Sequence, residues 1–148
     1  MREYKVFKIE NGTVIDHIPS PLGIKVLEIL GHDNDGIVSV GMNFSSKQLK
    51  AKDLIKFENK FLDKAETDRI SLIAPTATIN IIRNGKVVEK RPIAAPSVID
   101  NHIICPNPQC VTNIEHTPTK FYLEKESPIL VRCAYCERTT TIKPDMLK

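Results

Sequence analysis

Four cysteines in the last third of the chain constrain its fold more than any other feature. Two are separated by four residues and two by two residues, with an insert of 22 residues between the pairs: Cys105, Cys110, Cys133 and Cys136. Two short loops that each carry two thiolates are a common framework for a tetrahedral metal ion. Two disulfides, a redox-active pair or four unrelated buried cysteines are the alternatives. The paired spacing favours one Zn(II) ion held by all four side chains.

The segments around these cysteines predict a zinc ribbon. Strand-like sequences cover residues 120–125, 128–133 and 139–143, between and after the two cysteine pairs. Four protein ligands close the coordination shell, whereas a catalytic zinc keeps one position open. A domain of about 50 residues buries too little apolar surface to be stable alone. We therefore expect a structural zinc ion to supply much of its folding free energy.

The composition of the chain predicts a globular protein of the cytoplasm. The 148 residues are 26% charged and 41% hydrophobic, and no apolar run is long enough to cross a bilayer. The N-terminus mixes charged and apolar residues and does not resemble a secretory signal. A reducing compartment also favours metal ligation over disulfides. We expect no membrane partner.

Two other functional classes are considered for the whole chain. A zinc-ribbon protein that binds nucleic acid needs a basic face, but the net charge is only +3 and residues 101–148 contain six Lys/Arg against five Asp/Glu. An enzyme needs an arranged nucleophile or general base. The sequence has no glycine-rich phosphate loop, no serine nucleophile elbow and no HExxH motif. Neither nucleic-acid binding nor catalysis is therefore expected.

The first hundred residues alternate between strand and helix patterns. Strands are predicted at 3–9 and 13–18 around the turn Asn11-Gly12, and a helix is predicted from Ser20-Pro21 to Gly31. The inner side of this helix is expected to carry Ile24, Leu27, Ile29 and Leu30. Strands follow at 38–44 and 52–61. In the second strand, Ile55 and Lys56 are expected to point to opposite faces of the sheet.

A second helix is predicted from Asp63, as its N-cap, to Ile73, followed by a strand at 77–82, the turn Asn84-Gly85 and a return strand to 91. This order predicts an α+β fold, a ferredoxin-like α/β sandwich with helices on one face of the sheet. The stretch 91–100 reads as a connector. We expect domains at 1–97 and 98–148, the second an all-β zinc ribbon.

Few side chains of the N-terminal domain suggest chemistry. Asp16 and His17 are an acid and an imidazole next to each other, but neighbours on a strand point to opposite faces. From residue types alone they fit turn chemistry better than a catalytic dyad. Lys56 and Lys90 could converge on a phosphate, although such lysines more often form a solvated face. The residue types alone therefore predict no more than a possible anion site.

The same segments carry a family resemblance that spans nearly the whole chain. The sequences are NGTVIDHIP at 11–19, DLIKFENKFL at 53–62, IAPTATIN at 73–80 and RPIAAPSVIDNHIICPNPQC at 91–110. Together with the four-cysteine pattern, they make the chain similar to the regulatory chain of aspartate carbamoyltransferase. The resemblance implies a non-catalytic, allosteric subunit of pyrimidine biosynthesis. It also implies pairing between two regulatory chains and a zinc domain that holds the catalytic chain.

The resemblance further implies that the N-terminal domain binds the nucleoside triphosphates CTP and ATP. Asp16 and His17 would lie in the nucleotide pocket, with Lys56 toward the base and ribose and Lys90 toward the phosphates. Four further residues align with positions that line this pocket: Lys8, Ile9, Val14 and Val87. An aspartate can accept hydrogen bonds from ribose hydroxyls, and lysine and histidine can donate to phosphates. Two positions depart from the family pattern: Glu3 replaces a frequent lysine, and Gly85 stands where an aromatic residue can occur.

Overall fold

The computed structural model describes residues 8–31 and 33–148. They form two compact units, one ending at Ala94 and the other spanning Ala95–Lys148. This division lies three residues before the domain boundary expected from the sequence. The predicted strand at 3–9 lies mostly outside the described residues, as does Glu3. No helix in the described part of the chain is long and apolar enough to cross a membrane.

The N-terminal unit is built on a five-stranded antiparallel sheet. Its strands are β1 (Gly12–Pro19), β2 (Val38–Ser45), β3 (Ala51–Glu58), β4 (Thr78–Arg83) and β5 (Lys86–Pro92). The order across the sheet is β2-β3-β1-β4-β5. Helix α1 (Gly23–Leu30) connects β1 to β2, and helix α2 (Lys64–Ile73) connects β3 to β4. The α+β, ferredoxin-like fold predicted from the sequence is confirmed, with β5 added at one edge.

The core lies on one face of this sheet. Ile15 in β1, Ile55 and Phe57 in β3 and Ile79 in β4 are at most 1% exposed. The backbone N–H of Gly23, the first residue of α1, donates to the carboxylate of Asp53 on this same face, so α1 covers it. Alternate residues of each strand point to the opposite face and are partly exposed. That open face carries the polar residues considered below.

The two helices begin differently. Asp63 caps α2 as predicted, in a capping box where its side chain accepts from the N–H of Glu66 and Glu66 accepts in return. The predicted start of α1 at Ser20-Pro21 is wrong, because α1 begins at Gly23 and has no side-chain bond at its N-cap, Leu22. Asp53 from β3 supplies the missing acceptor at 2.8 Å.

The inner side of α1 was also predicted incorrectly. Ile24 is 46% exposed, whereas Val26 is fully buried and was not assigned to the inner side. The buried side of α1 carries Gly23 and Val26, which are three residues apart and therefore lie on one face of the helix. The apolar residue Ile24 is thereby left on the surface.

Two further predicted boundaries need correction. Strand β3 ends at Glu58 and not at residue 61, because Asn59 adopts a left-handed backbone (φ +62°) and Phe61 is left 41% exposed. The proposed connector at 91–100 is shorter than expected. Arg91 and Pro92 extend β5, and Val98–Asp100 forms strand β6. Only residues 93–97 lie outside regular structure.

The C-terminal unit is a four-stranded antiparallel sheet in the order β6-β7-β8-β9. The strands after β6 are β7 (Lys120–Glu126), β8 (Ile129–Cys133) and β9 (Thr139–Thr141), as the zinc-ribbon pattern predicted. A short helix, α3 (Val111–Ile114), follows the first cysteine pair and was not predicted. Near the C-terminus, Leu147 pairs with Ile103, which is fully buried.

Candidate functional site

A row of polar side chains crosses the open face of the N-terminal sheet. In the strand register, Val14 of β1 lies opposite Lys56 of β3 on one side and opposite Asn80 of β4 on the other. Asn80 in turn lies opposite Lys90 of β5. Directly opposed residues of antiparallel strands have their side chains on the same face, with Cβ atoms about 5 Å apart. The sheet therefore brings Lys56, Val14 and Lys90 of the predicted pocket into one line.

Asp16 and His17 lie beside this row, at a bulge in β1. The register with β3 shifts between Ile15 and Ile18, and His17 has a left-handed backbone (φ +57°). The strict alternation assumed from the sequence therefore fails here. The carboxylate of Asp16 accepts from the backbone N–H of His17 at 2.7 Å, and His17 Nδ1 lies 3.0 Å from the Thr78 hydroxyl.

Lys52 joins the same cluster, although it was not assigned to the pocket from the sequence. Its Nζ lies 3.0 Å from one carboxylate oxygen of Asp16 and 3.3 Å from the other. Both side chains are only 23% exposed, so the pair is partly shielded from water. Lys52 has the same strand parity as Lys56, and this shared parity is the sequence signal that could have identified it.

The pKa of Lys56 is influenced by two other residues of the predicted pocket, Asp16 and Lys8. Partial burial lowers the pKa of Lys56 below its ordinary value, the charge of Asp16 acts in the opposite direction, and the charge of Lys8 lowers the pKa further. These influences place Asp16 and Lys8 within electrostatic reach of Lys56. Two neighbouring ammonium groups that disfavour each other's charge are stabilised when an anion binds between them.

Asn80 is a second residue that the sequence analysis missed. Its side-chain oxygen is buried without a hydrogen-bond partner, and among the described residues it is the one such side-chain atom. A buried acceptor without a donor costs free energy, so each such group in a native protein needs an explanation, and a bound water or ion is one of them. Asn80 lies between Val14 and Lys90 in the row. A rotation of the Asn80 side chain that brings this oxygen to the open face would let it accept a hydrogen bond from a ligand bound there.

The remaining predicted pocket residues lie toward the β4–β5 turn. Val87 is 58% exposed and pairs with Ile82, which itself pairs with Gly12. Ile9 is buried, and the backbone N–H of Gly85 donates to the carbonyl of Glu10 at 2.8 Å. The Glu10 carboxylate comes within 3.3 Å of where a side chain at Gly85 would begin. The segment before β1 is thus hydrogen-bonded to the β4–β5 turn, which leads to Val87.

The four cysteines of the C-terminal unit form one cluster. Their sulfur atoms all lie within 4.8 Å of one another. Cys105 and Cys136 are 3.7 Å apart and Cys110 and Cys133 are 3.8 Å apart, so each short contact joins the two loops. A tetrahedral ion with metal–sulfur bonds of about 2.3 Å separates its sulfurs by about 3.8 Å. The cluster fits such an ion, and none of the four cysteines is in a disulfide.

The four thiols differ in whether their surroundings raise or lower the pKa. Burial raises the pKa of Cys105 to about 12 and also raises that of Cys133. Burial acts the same way on Cys110 and Cys136, but hydrogen bonds outweigh it there. The hydroxyl and N–H of Thr112 lower the pKa of Cys110, and the N–H of Arg138 helps to lower that of Cys136 to about 7. Each loop therefore has one thiol with a raised pKa and one with a lowered pKa.

Comparison with known proteins assigns both units to one family. A family model described as the allosteric domain of the aspartate carbamoyltransferase regulatory chain matches residues 4–94. A second, described as the metal-binding domain of the same chain, matches residues 97–144. The chain belongs to the aspartate carbamoyltransferase regulatory chain family. The resemblance seen in the sequence motifs is confirmed.

Curated relatives support this assignment over nearly the full length. The chain is 54% identical over 142 residues to the aspartate carbamoyltransferase regulatory chain of Pyrococcus horikoshii and 51% identical to that of Pyrococcus furiosus. In both cases 94% of this chain and 93% of the relative are covered. The regulatory chain of Ignicoccus hospitalis is 47% identical, with 92% and 90% covered. This chain is therefore a regulatory and non-catalytic member of the enzyme, with an allosteric and a metal-binding domain.

Proposed function

We propose that the N-terminal unit binds CTP and ATP on the open face of its sheet and that the C-terminal unit transmits the effect to the catalytic chain. The observation that carries the effector site is the cross-strand row with the unpaired oxygen of Asn80 at its centre. It combines cations, an acceptor and an apolar residue on one surface. No glycine-rich loop is needed, since lysine side chains can supply the charge for the phosphates.

The positions within the row support different roles for its residues. Lys90, on the exposed edge strand β5, is available to the phosphates, and His17 and Lys52 add nitrogen donors near the bulge. Asp16 can accept from ribose hydroxyls, and Lys56 can donate to the ribose or the base. Lys8, Ile9, Val14 and Val87 would line the base end. A triphosphate would compete with Asp16 for Lys52, because both are anions.

Allosteric control requires that the effector bind two states of the assembly with different affinity. A ligand shifts an equilibrium only by this difference, and coupling between distant sites is typically about 1–3 kcal/mol. We propose that CTP inhibits the enzyme of pyrimidine biosynthesis and that ATP opposes it at the same site. Competition between the two nucleotides follows directly from a shared site.

The metal of the C-terminal unit is proposed to be one structural Zn(II) ion per chain, held by Cys105, Cys110, Cys133 and Cys136. When bound, it supplies a rigid tetrahedral link between the two loops and no open coordination position for chemistry. Apolar side chains are exposed around these loops, including Ile104, Val111, Ile114 and Tyr135. We propose that they form the docking surface for the catalytic chain, which would bury them.

Two regulatory chains are proposed to pair through the N-terminal unit. Three exposed apolar residues support this surface: Ile24 on α1, Ile37 just before β2, and Met42 on β2. β2 is an edge strand, so its outer backbone groups can pair with a second strand. The expected compartment of the assembly is the cytoplasm, where reducing conditions keep the four thiols available for zinc.

Calorimetric titration of the full chain tests the effector site. We expect CTP and ATP each to bind at one site per chain and to displace each other. Cytidine should bind much more weakly because it lacks the phosphates that the lysines recognise. Tripolyphosphate serves as the matched ligand without base and ribose. Absence of CTP binding, or binding of CTP and ATP without mutual displacement, would contradict the proposed shared site.

A further inference from the structure

The first cysteine loop is longer than the second and is held by a different device. Cys133 and Cys136 are separated by two residues, and backbone bonds close this loop: Glu137 N–H donates to the Cys133 carbonyl at 3.0 Å, and Cys133 N–H donates to the Arg138 carbonyl. Cys105 and Cys110 are separated by four residues. Within that loop, Cys110 N–H donates to the Asn107 carbonyl, and the Asn107 N–H donates to the Cys105 sulfur, but neither bond holds the Cys105 carbonyl.

The side chain of Asn113 holds the Cys105 carbonyl. Its Nδ2 donates to the carbonyl of Cys105 at 2.9 Å and to the carbonyl of Asn107 at 2.7 Å. An amide nitrogen carries two hydrogens, so both are used. Asn113 itself lies in α3, and its backbone N–H donates to the carbonyl of Cys110 at 2.9 Å. One residue thus ties the start, the middle and the end of the loop together.

We propose that Asn113 is a positioning residue for the metal, one that holds the Cys105 and Cys110 sulfurs in ligating geometry and slows release of the ion. The inference rests on the proposed metal site. Groups that orient ligands from outside the coordination shell often change metal affinity by about 10- to 100-fold when they are replaced. Thr112 makes a separate contact, with its hydroxyl 3.1 Å from the Cys110 sulfur. Asn113 differs in acting on Cys105, which lies at the far end of the loop.

Two substitutions isolate the amide hydrogens. Asn113→Asp keeps the shape but removes both N–H donors and places one carboxylate oxygen against both carbonyls, and Asn113→Ala removes both hydrogen bonds without adding charge. Gln109→Glu is the matched control, since Gln109 is exposed in the same loop and the change adds the same charge. The contacts of Asn113 stay intact in that control.

The measurement is transfer of zinc from the full chain to a chromogenic chelator in excess, with the visible spectrum of the Co(II)-substituted chain as a second readout. We expect release to be at least about tenfold faster in Asn113→Asp and faster than wild type in Asn113→Ala. Gln109→Glu should stay within about twofold of wild type. The Co(II) bands should change in the Asn113 variants, because loss of these hydrogen bonds alters the geometry of the sulfur ligands. A purely structural role would leave that geometry, and the bands, unaltered.

Several results would overturn the inference. Wild-type release rates in both Asn113 variants would do so, as would equal acceleration in Gln109→Glu, which would assign the effect to charge. If Asn113→Asp does not fold, Asn113→Ala decides the question by the same criteria. A lowered unfolding temperature with unchanged release and an unchanged Co(II) spectrum also contradicts it. A wild-type chain that takes up neither Zn(II) nor Co(II) would instead refute the metal site itself.

Discussion

Replacing Cys133 by serine should abolish zinc retention and unfold residues 95–148. Cys133 is fully buried at the end of β8, and its sulfur touches that of Cys110 from the other loop. The hydroxyl of serine is a poor zinc ligand at neutral pH, so the coordination shell would be left incomplete. Structural zinc contributes about 10–16 kcal/mol to the folding of small zinc-binding peptides. Loss of such a contribution exceeds the stability that about 50 residues can provide from their own core.

Hydrogen exchange followed by mass spectrometry measures this effect for each unit separately. We expect β7 and β8 to lose protection in Cys133→Ser and the metal content to fall from one ion per chain to near zero. The N-terminal unit serves as the internal control, because it has its own core around Ile15, Ile55 and Phe57. A variant that keeps one zinc per chain and wild-type protection in β7 and β8 would show that the cluster is not a four-thiolate metal site.

Replacing Lys90 by alanine should weaken CTP binding by about 10- to 100-fold. A charge-assisted hydrogen bond to a phosphate contributes about 1.5–3 kcal/mol, and each 1.4 kcal/mol corresponds to a factor of ten in affinity. Lys90 lies opposite Asn80 in the strand register, so its side chain is on the open face of the sheet. The buried side-chain oxygen of Asn80 has no hydrogen-bond partner. The loss should grow at low salt, where the unscreened charge contributes most.

Lys64→Ala is the matched control for this titration. Lys64 is also a lysine of the N-terminal unit, but it lies on α2, its side chain is 80% exposed, and it pairs with Asp68 within the helix. We expect CTP affinity to stay within about twofold of wild type, since a surface ion pair of this kind contributes little. Equal losses in Lys90→Ala and Lys64→Ala would point to general electrostatic attraction and contradict a specific phosphate contact at Lys90.

Short-range patterns in the sequence predicted most of the fold. The Asn84-Gly85 turn, the N-cap at Asp63 and the alternation through Ile55 and Phe57 all appear in the structure. Each of these signals depends on residues a few positions apart, where propensity and capping act directly. The cluster of the four cysteines was also predicted from the sequence, because their paired spacing is typical of a metal-binding framework.

Contacts between distant residues explain what the sequence did not reveal. The start of α1 depends on Asp53, which accepts a hydrogen bond from Gly23. Asp53 is 30 residues away in the sequence, so no local pattern indicates this contact. The bulge at His17 likewise depends on how β1 pairs with β3. Asn80 became a candidate only when the register placed it between Val14 and Lys90. Strand register is a tertiary property, so a row across four strands cannot be read from local patterns alone.

Effector response of the assembled enzyme tests the central claim most directly. Purified catalytic chain, alone and mixed with this chain, would be assayed for carbamoyl transfer to aspartate with and without CTP. We expect the two chains to co-purify, CTP to lower the activity of the mixture only, and Lys90→Ala to require about 10- to 100-fold more CTP for the same effect. If the chains co-purify, CTP binds and the activity does not change, transmission of the nucleotide signal by this chain is contradicted.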